Sequence, residues 1–276
     1  MADGAGGLYY VIMTNVLRET SANMKGVIMK AKKKTFLILF IIIAVLVLIE
    51  IFAQPFRALL AFGSMKSLET GEVLSNVYAI NNSYVNMYLL KSGDAYIAFD
   101  AGANMKTTQS DLTALDIKES DITAVFLTHT DYDHVAALPY FSSAAIYMAQ
   151  SNKVFIEASP GRSKNFVGME IDYKTLSEGE IVSVADVDIQ CIFTPGHTDG
   201  SACYIVDGKY LFAGDNFSLK NGKAALFNHV FNMNDEEQGQ SIHKLAQLQE
   251  LDTVVAIFTM HYGYTTDAVA AFAKWQ

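Results

Sequence analysis

Four potential metal ligands fall within six residues of this chain, and this cluster limits the available folds more than any other feature. His129, Asp131, Asp133 and His134 follow directly after the apolar run 122–127. Such a run is typical of a buried strand, and a strand that ends in these residues delivers their side chains to the edge of a sheet. A polar surface loop is the ordinary alternative for a turn rich in Asp and His.

Three further potential ligands also stand where an apolar run ends and the chain turns. They are His197, Asp215 and His261. One histidine at a strand–loop junction would carry little weight, but the repetition favours a shared centre at one sheet edge. Of the six histidines, only His229 and His243 are left over, and His243 is expected on the solvated face of a helix.

The order of these residues resembles the signature of the metallo-β-lactamase fold hydrolases, which is a strand-end Asp, then H-x-H-x-D-H, a later His, a later Asp and a final His. The matching positions are Asp100, the cluster 129–134, His197, Asp215 and His261. The segments 86–90 and 194–201 are similar to the family as well. The resemblance implies an α/β fold, an αββα sandwich of two mixed β-sheets with flanking helices, and a dinuclear metal site at one edge of the sheets.

The resemblance also assigns the ligands to two metal positions, called site one and site two below. Site one would comprise His129, Asp131 and His197, and site two would comprise Asp133, His134 and His261, with Asp215 bridging the two. Asp100 would lie behind the ligands and support the loops that carry them.

The chain departs from the family pattern at Asp131, where the family has the second histidine of its motif. A carboxylate oxygen is a harder ligand than an imidazole nitrogen, so the exchange shifts metal preference towards Mn or Fe while zinc remains feasible. The added negative charge also weakens the Lewis acidity of a bound ion. The expected cofactor is a pair of divalent metal ions. Zinc is favoured over Mn or Fe. An alternative is that only site two is filled.

The activity that the resemblance implies is metal-dependent hydrolysis of a small ester, thioester, lactone or β-lactam-type substrate. A metal-bound hydroxide would attack the carbonyl, and Asp133 would orient it and pass a proton to the leaving group. The alternatives are a di-iron oxidoreductase of the flavodiiron type, whose family carries a carboxylate at the position of Asp131, and a non-catalytic metal-binding domain. Candidates for the pocket wall are Tyr132, Phe227, His229 and Tyr262.

Charge is distributed unevenly along the chain. Residues 1–34 carry six basic and two acidic residues, a net charge of +4. Because the whole chain has a net charge of −9, residues 35–276 carry a net charge of −13. A body that acidic disfavours a nucleic-acid partner. The short segment after His261 favours a small-molecule substrate over a polymer. The oligomeric state stays open.

An apolar segment precedes the acidic body. Phe36–Ile49 contains fourteen apolar residues in a row and reaches Ala53 if Glu50 is tolerated. Eighteen helical residues rise about 27 Å, close to the hydrocarbon thickness of roughly 30 Å. The lysines just before the segment predict a cytoplasmic N-terminus and a catalytic domain outside the cytoplasm. The alternative is a signal peptide cleaved near residue 53 or 58, which would give a secreted protein.

These features predict three regions: a basic tail at 1–34, a transmembrane helix or signal anchor at 35–54, and a catalytic domain at 70–276. Within the last region, helices are expected near 107–115, 135–141, 235–251 and 266–274, with a loop-rich stretch at 151–170. The only two cysteines, Cys191 and Cys203, are too few for a thiolate zinc site. Two buried free thiols are favoured over a single bridge between them.

Overall fold

A computed structural model describes the backbone of residues 4–276 and the side chains outside 4–17, 26–28, 31, 54 and 250. The first three residues of the predicted basic tail lie outside the described residues. The chain divides into two compact units, residues 1–59 and residues 60–276.

The first unit is helical throughout its described part. Helix α1 (Gly4–Ser64) includes both the predicted basic tail and the predicted anchor segment. Its large apolar side chains from Phe36 to Phe62 are exposed, and the stretch Lys32–Ser64 is long and apolar enough to cross a membrane, a property that signal sequences share. Glu50 interrupts the apolar run but forms an ion pair of 2.7 Å with Arg57, two turns further along the same face.

The second unit contains fifteen strands. In chain order they are β1 (Gly71–Leu74), β2 (Val77–Asn82), β3 (Val85–Ser92), β4 (Ala95–Phe99), β5 (Ile122–Leu127), β6 (Ala145–Ala149), β7 (Lys174–Leu176), β8 (Ile181–Val184), β9 (Val187–Phe193), β10 (Ala202–Val206), β11 (Tyr210–Phe212), β12 (Ser218–Lys220), β13 (Lys223–Ala225), β14 (Ala256–Thr259) and β15 (Gly263–Thr265). The first sheet has the order β1-β2-β3-β4-β5-β6-β7, the second has the order β15-β14-β11-β10-β9-β8, and β12 pairs with β13. Both large sheets are mixed, because β4 to β7 are parallel in the first and β11 is parallel to β14 in the second.

Helices cover the outer faces of both sheets. They are α2 (Met105–Ala114), α3 (Tyr132–Val135), α4 (Gln150–Ala158), α5 (Lys164–Val167), α6 (Asp235–Ala246) and α7 (Ala268–Phe272). Asn104 and Asn234 cap α2 and α6, each side chain accepting hydrogen bonds from two backbone N–H groups of the first turn. Three acidic residues in the first turn of α6 also favour its start through the helix dipole.

The core has three layers because strand side chains alternate between the two faces of a sheet. Aromatic residues fill the space between the sheets, where the rings of Phe99 and Phe212 stack at 3.7 Å. A second cluster joins the first sheet to Leu112 of α2, and a third joins the second sheet to Ile242 of α6 and Phe272 of α7. This arrangement confirms the predicted αββα sandwich.

The structure differs from the sequence prediction in two helical regions. The stretch 151–170 is not loop-rich, since α4 and α5 lie there. The inward face of α4 carries Asn152 beside Phe155, and this buried polar residue hides the apolar period. The helix expected at 135–141 begins earlier, at Tyr132, and ends at Val135, with a separate 3-10 turn around Pro139.

Both cysteines are free and buried, which confirms the favoured alternative. Cys191 packs between the sheets, whereas Cys203 packs on the helix side of the second sheet. The two thiols therefore lie on opposite faces of neighbouring strands. Burial raises the pKa of Cys203 to about 12, so it stays a protonated thiol at neutral pH.

Candidate metal centre

Neighbouring parallel strands of the first sheet deliver half of the centre. β4 ends just before Asp100 and β5 ends just before Thr128, so both residues lie at the same sheet edge. Asp100 adopts φ 58°, which is uncommon for a residue other than glycine. It is held there because its N–H donates to the Phe126 carbonyl at 2.9 Å and its carboxylate accepts from the Thr128 N–H at 2.7 Å.

The second sheet delivers the other half. His197 follows β9, Asp215 follows β11 and His261 follows β14. The loops of the two sheets touch at Gly214, which has φ +58°, and a Cβ there would lie 2.5 Å from Thr128 Oγ1. Glycine is therefore required at this point for the two sets of ligands to approach each other.

The donor atoms converge on the carboxylate of Asp215. Its Oδ2 lies 3.1 Å from Nε2 of His261, 3.3 Å from His134, 3.6 Å from His197 and 4.0 Å from His129. Asp133 contributes Oδ2 at 3.4 Å from His261 Nε2. Tetrahedral zinc with bonds of about 2.0–2.1 Å places its donor atoms about 3.3 Å apart. The spacing fits shared metal ligands.

Each of the four imidazoles presents Nε2 to the centre because its Nδ1 is engaged elsewhere. His129 Nδ1 pairs with Thr128 Oγ1 at 3.0 Å, and His134 Nδ1 pairs with Asp100 Oδ2 at 2.8 Å. For His197 and His261 the partners of Nδ1 are Asn232 Oδ1 at 3.1 Å and the Tyr84 carbonyl at 2.7 Å. Such outer partners fix the ring orientation and the tautomer of metal-binding histidines.

Two groups of three donors meet the spacing that one ion requires. They are His129 with His197 and Asp215, and Asp133 with His134 and His261. Among the described residues, the buried atoms His129 Nε2, His134 Nε2 and Asp215 Oδ1 have no hydrogen-bond partner. Buried polar atoms are rarely left unpaired, so a bound cation fits these residues. Six of the seven predicted ligands thus lie together in groups suited to an ion.

Asp131, the seventh predicted ligand, lies beside site one but pairs with a cation of the protein. Arg162 Nε donates to its Oδ1 at 2.7 Å and Arg162 Nη2 donates to its Oδ2 at 2.5 Å. Asp131 Oδ2 is also 3.3 Å from His197 Nε2. The ligand role of Asp131 therefore stays a prediction.

The charges of the centre are strongly coupled. Burial opposes ionisation of Asp215, but His261 and His134 hold the pKa of its carboxyl well below the ordinary value. Burial likewise opposes charge on His134, yet Asp215, Asp133 and Asp100 hold its pKa well above the ordinary value. The pKa of His129 is lowered by burial and by His134. The carboxylates thus favour a cation at site two, whether a proton or a metal ion.

A cavity of about 360 Å³ opens above the candidate metal ligands. Its wall is mostly apolar or aromatic and includes Phe62, Met65, Tyr84, Tyr132, Phe227, Val230 and Phe231. Burial and the nearby carboxylate of Asp133 raise the pKa of Tyr84 to about 12, so it stays neutral. Asp131, Asp133, Asp215 and Arg162 are the charged residues at the cavity floor, beside the histidines.

Two of the four residues suggested for the pocket wall, Tyr132 and Phe227, line this cavity. His229 is exposed and pairs with Asp235, and Tyr262 lines a different cavity. Sequence reasoning did not identify Arg162, Asn232 or the Tyr84 carbonyl. For Arg162, the one available signal was a basic residue in a stretch expected to be loop. That signal does not indicate which residue it would pair with.

Comparisons with a family model and with individual proteins indicate the same family for this chain. A family model of the metallo-beta-lactamase superfamily matches residues 80–261. The chain is 33% identical over 106 residues to the probable polyketide biosynthesis zinc-dependent hydrolase PksB of Bacillus subtilis, covering 37% of this chain and 42% of that protein. It is 32% identical over 143 residues to the probable metallo-hydrolase YqgX of the same organism, covering 47% and 64%. The matches thus span about half of the length of such relatives.

Solved structures agree on the fold. A metallo-beta-lactamase family protein from Thermus thermophilus superposes with a TM-score of 0.55 at 20% identity, over 74% of this chain and 79% of that one. A subclass B3 metallo-beta-lactamase of Bradyrhizobium japonicum gives 0.55 at 16% identity, over 76% and 91%. None of these four proteins is named as an oxidoreductase, so the flavodiiron alternative gains no support. The chain belongs to the metallo-β-lactamase superfamily.

Proposed function

We propose that this protein is a zinc-dependent hydrolase of small, partly apolar esters, thioesters, lactones or β-lactams. The observation that carries the proposal is the convergence of four Nε2 atoms and two carboxylates at the floor of an apolar cavity. The hydrolases named above support the reaction class, and the zinc-dependent one among them supports zinc as the metal.

Site two would hold zinc through Asp133, His134 and His261, with Asp215 beside them. A bound divalent ion supplies Lewis-acid activation of water and of a carbonyl group. Asp100 and the Tyr84 carbonyl hold the rings of His134 and His261 in place, so little reorganisation is needed when the ion binds.

Asp133 is suited to move protons during the reaction. Its Oδ2 is 3.4 Å from His261 Nε2, and its side chain remains 19% exposed at the cavity floor. A carboxylate in that position accepts a proton from an attacking water and returns it to the leaving group. Asp215, by contrast, is 5% exposed and surrounded by imidazoles, so it is suited to hold charge rather than to exchange protons with the substrate.

The cavity favours a substrate with an apolar group next to its reacting carbonyl. A volume of about 360 Å³ lies in the lower part of the range for small-molecule sites, roughly 300–1,000 Å³. Phe62, Phe227 and Phe231 give it an aromatic wall. A nucleic-acid substrate is not proposed, because the wall is apolar and the catalytic region is acidic.

The test is a hydrolysis assay with the full chain, purified in mild detergent because α1 exposes apolar residues. The panel contains p-nitrophenyl esters of short and medium acyl chains, an acyl thioester, a lactone and a chromogenic cephalosporin. We expect kcat/KM of about 10⁴ M⁻¹s⁻¹ or more for one class, loss with a chelator and recovery with zinc. A folded, zinc-loaded protein that hydrolyses none of them contradicts the proposal.

Asp133→Asn is the matched variant for the proton-transfer role. It should lower kcat by about 10²–10⁴-fold. Asp199→Asn is the control, because Asp199 is exposed two residues after His197 and loses the same charge. Equal rates in the two variants would remove Asp133 from the mechanism.

The apolar stretch of α1 is proposed to anchor the protein in a membrane, with the N-terminus in the cytoplasm and the catalytic region outside. The lysine cluster before it and its exposed apolar surface support this topology. Resistance to carbonate extraction and protease sensitivity of the catalytic region in intact cells are expected. Release of a shortened chain into the medium would instead indicate a cleaved signal peptide.

A further inference from the structure

Arg162 contacts two of the predicted site-one ligands, Asp131 and His197. Its Nη2 lies 2.5 Å from Asp131 Oδ2, 3.1 Å from the Phe231 carbonyl oxygen and 3.2 Å from His197 Nε2, so these three acceptors share its two N–H groups. His197 Nδ1 lies 3.1 Å from Asn232 Oδ1, an amide oxygen that can only accept, so this contact assigns the proton to Nδ1 and leaves a lone pair on Nε2. The lone pair that would bind a metal ion is therefore the one that faces the guanidinium.

We propose that Arg162 is a built-in cation of site one, and that the chain consequently binds one divalent ion, at site two. The inference rests on the proposed metal dependence. It assigns Asp131 as the anchor of Arg162 rather than as a metal ligand.

Two physical reasons keep a second ion out. With Asp131 and His197 engaged, site one keeps only Asp215 and the unpaired Nε2 of His129, fewer than the three protein ligands that zinc sites ordinarily have. A guanidinium also stays charged at every accessible pH, and it would repel an ion that shares its acceptors. Burial opposes its charge, but Asp131 raises the pKa of Arg162 further.

The same geometry explains the departure from the family motif. A carboxylate accepts two parallel hydrogen bonds from a guanidinium, as Asp131 does here. A histidine at this position would offer at most one acceptor and no negative charge. Asp131 and Arg162, 31 residues apart in the chain, therefore act as one unit.

No equivalent cation lies over site two within the described residues. Asp133 Oδ2 lies 3.4 Å from His261 Nε2, and Asp215 Oδ2 lies 3.1 Å from His261 Nε2 and 3.3 Å from His134 Nε2. A divalent ion at site two thus meets two carboxylates without a competing guanidinium, so the two positions differ in charge and in free donor atoms.

The experiment is a metal count on the full chain, purified with excess zinc and desalted, by inductively coupled plasma mass spectrometry. We expect about one zinc equivalent in the unmodified chain and about two in Arg162→Met, which removes the charge but keeps a long side chain. Arg162→Lys retains a positive charge and should stay nearer one equivalent than two.

Lys164→Met is the matched control, because it removes one positive charge from an exposed position two residues away. It should leave the count at about one. Cobalt substitution provides a second readout, in which Arg162→Met should gain additional visible absorption relative to the unmodified chain. Circular dichroism of each variant verifies that it is folded.

The outcomes separate the inference from the proposed function. Two equivalents in the unmodified chain, or one in a folded Arg162→Met, overturns the inference and leaves the metallohydrolase proposal standing. No zinc in any folded variant overturns both. One equivalent rising to two supports the inference whether or not a substrate is known.

Discussion

Site one and site two share Asp215 and are built from the same residue types, yet the protein surrounds them differently. At site two, the ring of His134 is held by a buried carboxylate, Asp100, and no guanidinium competes for its Nε2 among the described residues. At site one, the ring of His197 is held by a neutral amide, Asn232, and its Nε2 faces Arg162. The ligand lists alone do not show this asymmetry.

The difference shows that a metal position is defined as much by its neighbours as by its donors. A carboxylate behind a histidine raises the basicity of the ring and strengthens metal binding. A guanidinium that donates a hydrogen bond to the metal-facing nitrogen of a histidine engages the lone pair that would otherwise bind the ion. Four predictions about variants of the centre follow from this contrast, from the largest expected effect to the smallest.

His134→Ala compared with His129→Ala should give the largest effect. Loss of His134 removes a site-two donor, so zinc content should fall from about one equivalent to below about 0.2, with a loss of activity of about 10³-fold or more. Loss of His129 should leave the zinc content unchanged. The measurement is the zinc content of both folded variants. Loss of zinc in His129→Ala but not in His134→Ala would place the ion at site one.

Gly214→Ala should strongly destabilise the contact between the two halves of the centre. The new Cβ would lie 2.5 Å from Thr128 Oγ1 at φ +58°, at an expected cost of about 2–4 kcal/mol in the free energy of unfolding. Gly93→Ala is the control, since Gly93 has the same φ and nothing within 4 Å of its Cβ position. Thermal or denaturant unfolding should show a clearly smaller loss for Gly93→Ala; equal losses would mean that backbone strain alone matters.

Asp100→Asn should weaken zinc binding by about 10–100-fold, because an amide in place of the carboxylate removes the charged acceptor of the His134 Nδ1–H. Asn232→Ala is the companion variant for site one and should change zinc affinity by less than about threefold if site one holds no ion. Competition with a chromophoric chelator measures both. A larger effect of Asn232→Ala would contradict the asymmetry between the sites.

Asp131→Asn should give the smallest effect, seen as stability in metal-free protein. Burial opposes ionisation of Asp131, but Arg162 lowers the pKa of its carboxyl in the folded state. Its contribution is therefore present above the unfolded pKa of about 3.9 and is lost as the pH falls through the lowered value. We expect a loss of about 1–3 kcal/mol at pH 7 that shrinks only below about pH 4. Thermal melts from pH 3 to 8 check this, and a loss that grows on acidification would reverse the sign.

Much of the fold and the centre could be predicted because the informative residues follow apolar strands. His134, Asp215 and His261 each come after a short buried run, and parallel strands bring such ends to one edge. The burial of Asn152 in α4 shows the limit of this reasoning. A polar residue at a buried position breaks the apolar period, and the helix was predicted as loop.

The sequence by itself determined the order of the candidate metal ligands, the sandwich fold and the apolar helix that precedes it, because strand ends and apolar runs are local patterns. Only the tertiary structure decided what lies around each ligand. The carbonyl that orients His261 belongs to Tyr84, 177 residues away, and a backbone acceptor leaves no mark in a sequence. Arg162 meets Asp131 because two loops fold over the same cavity, and no spacing along the chain encodes that contact.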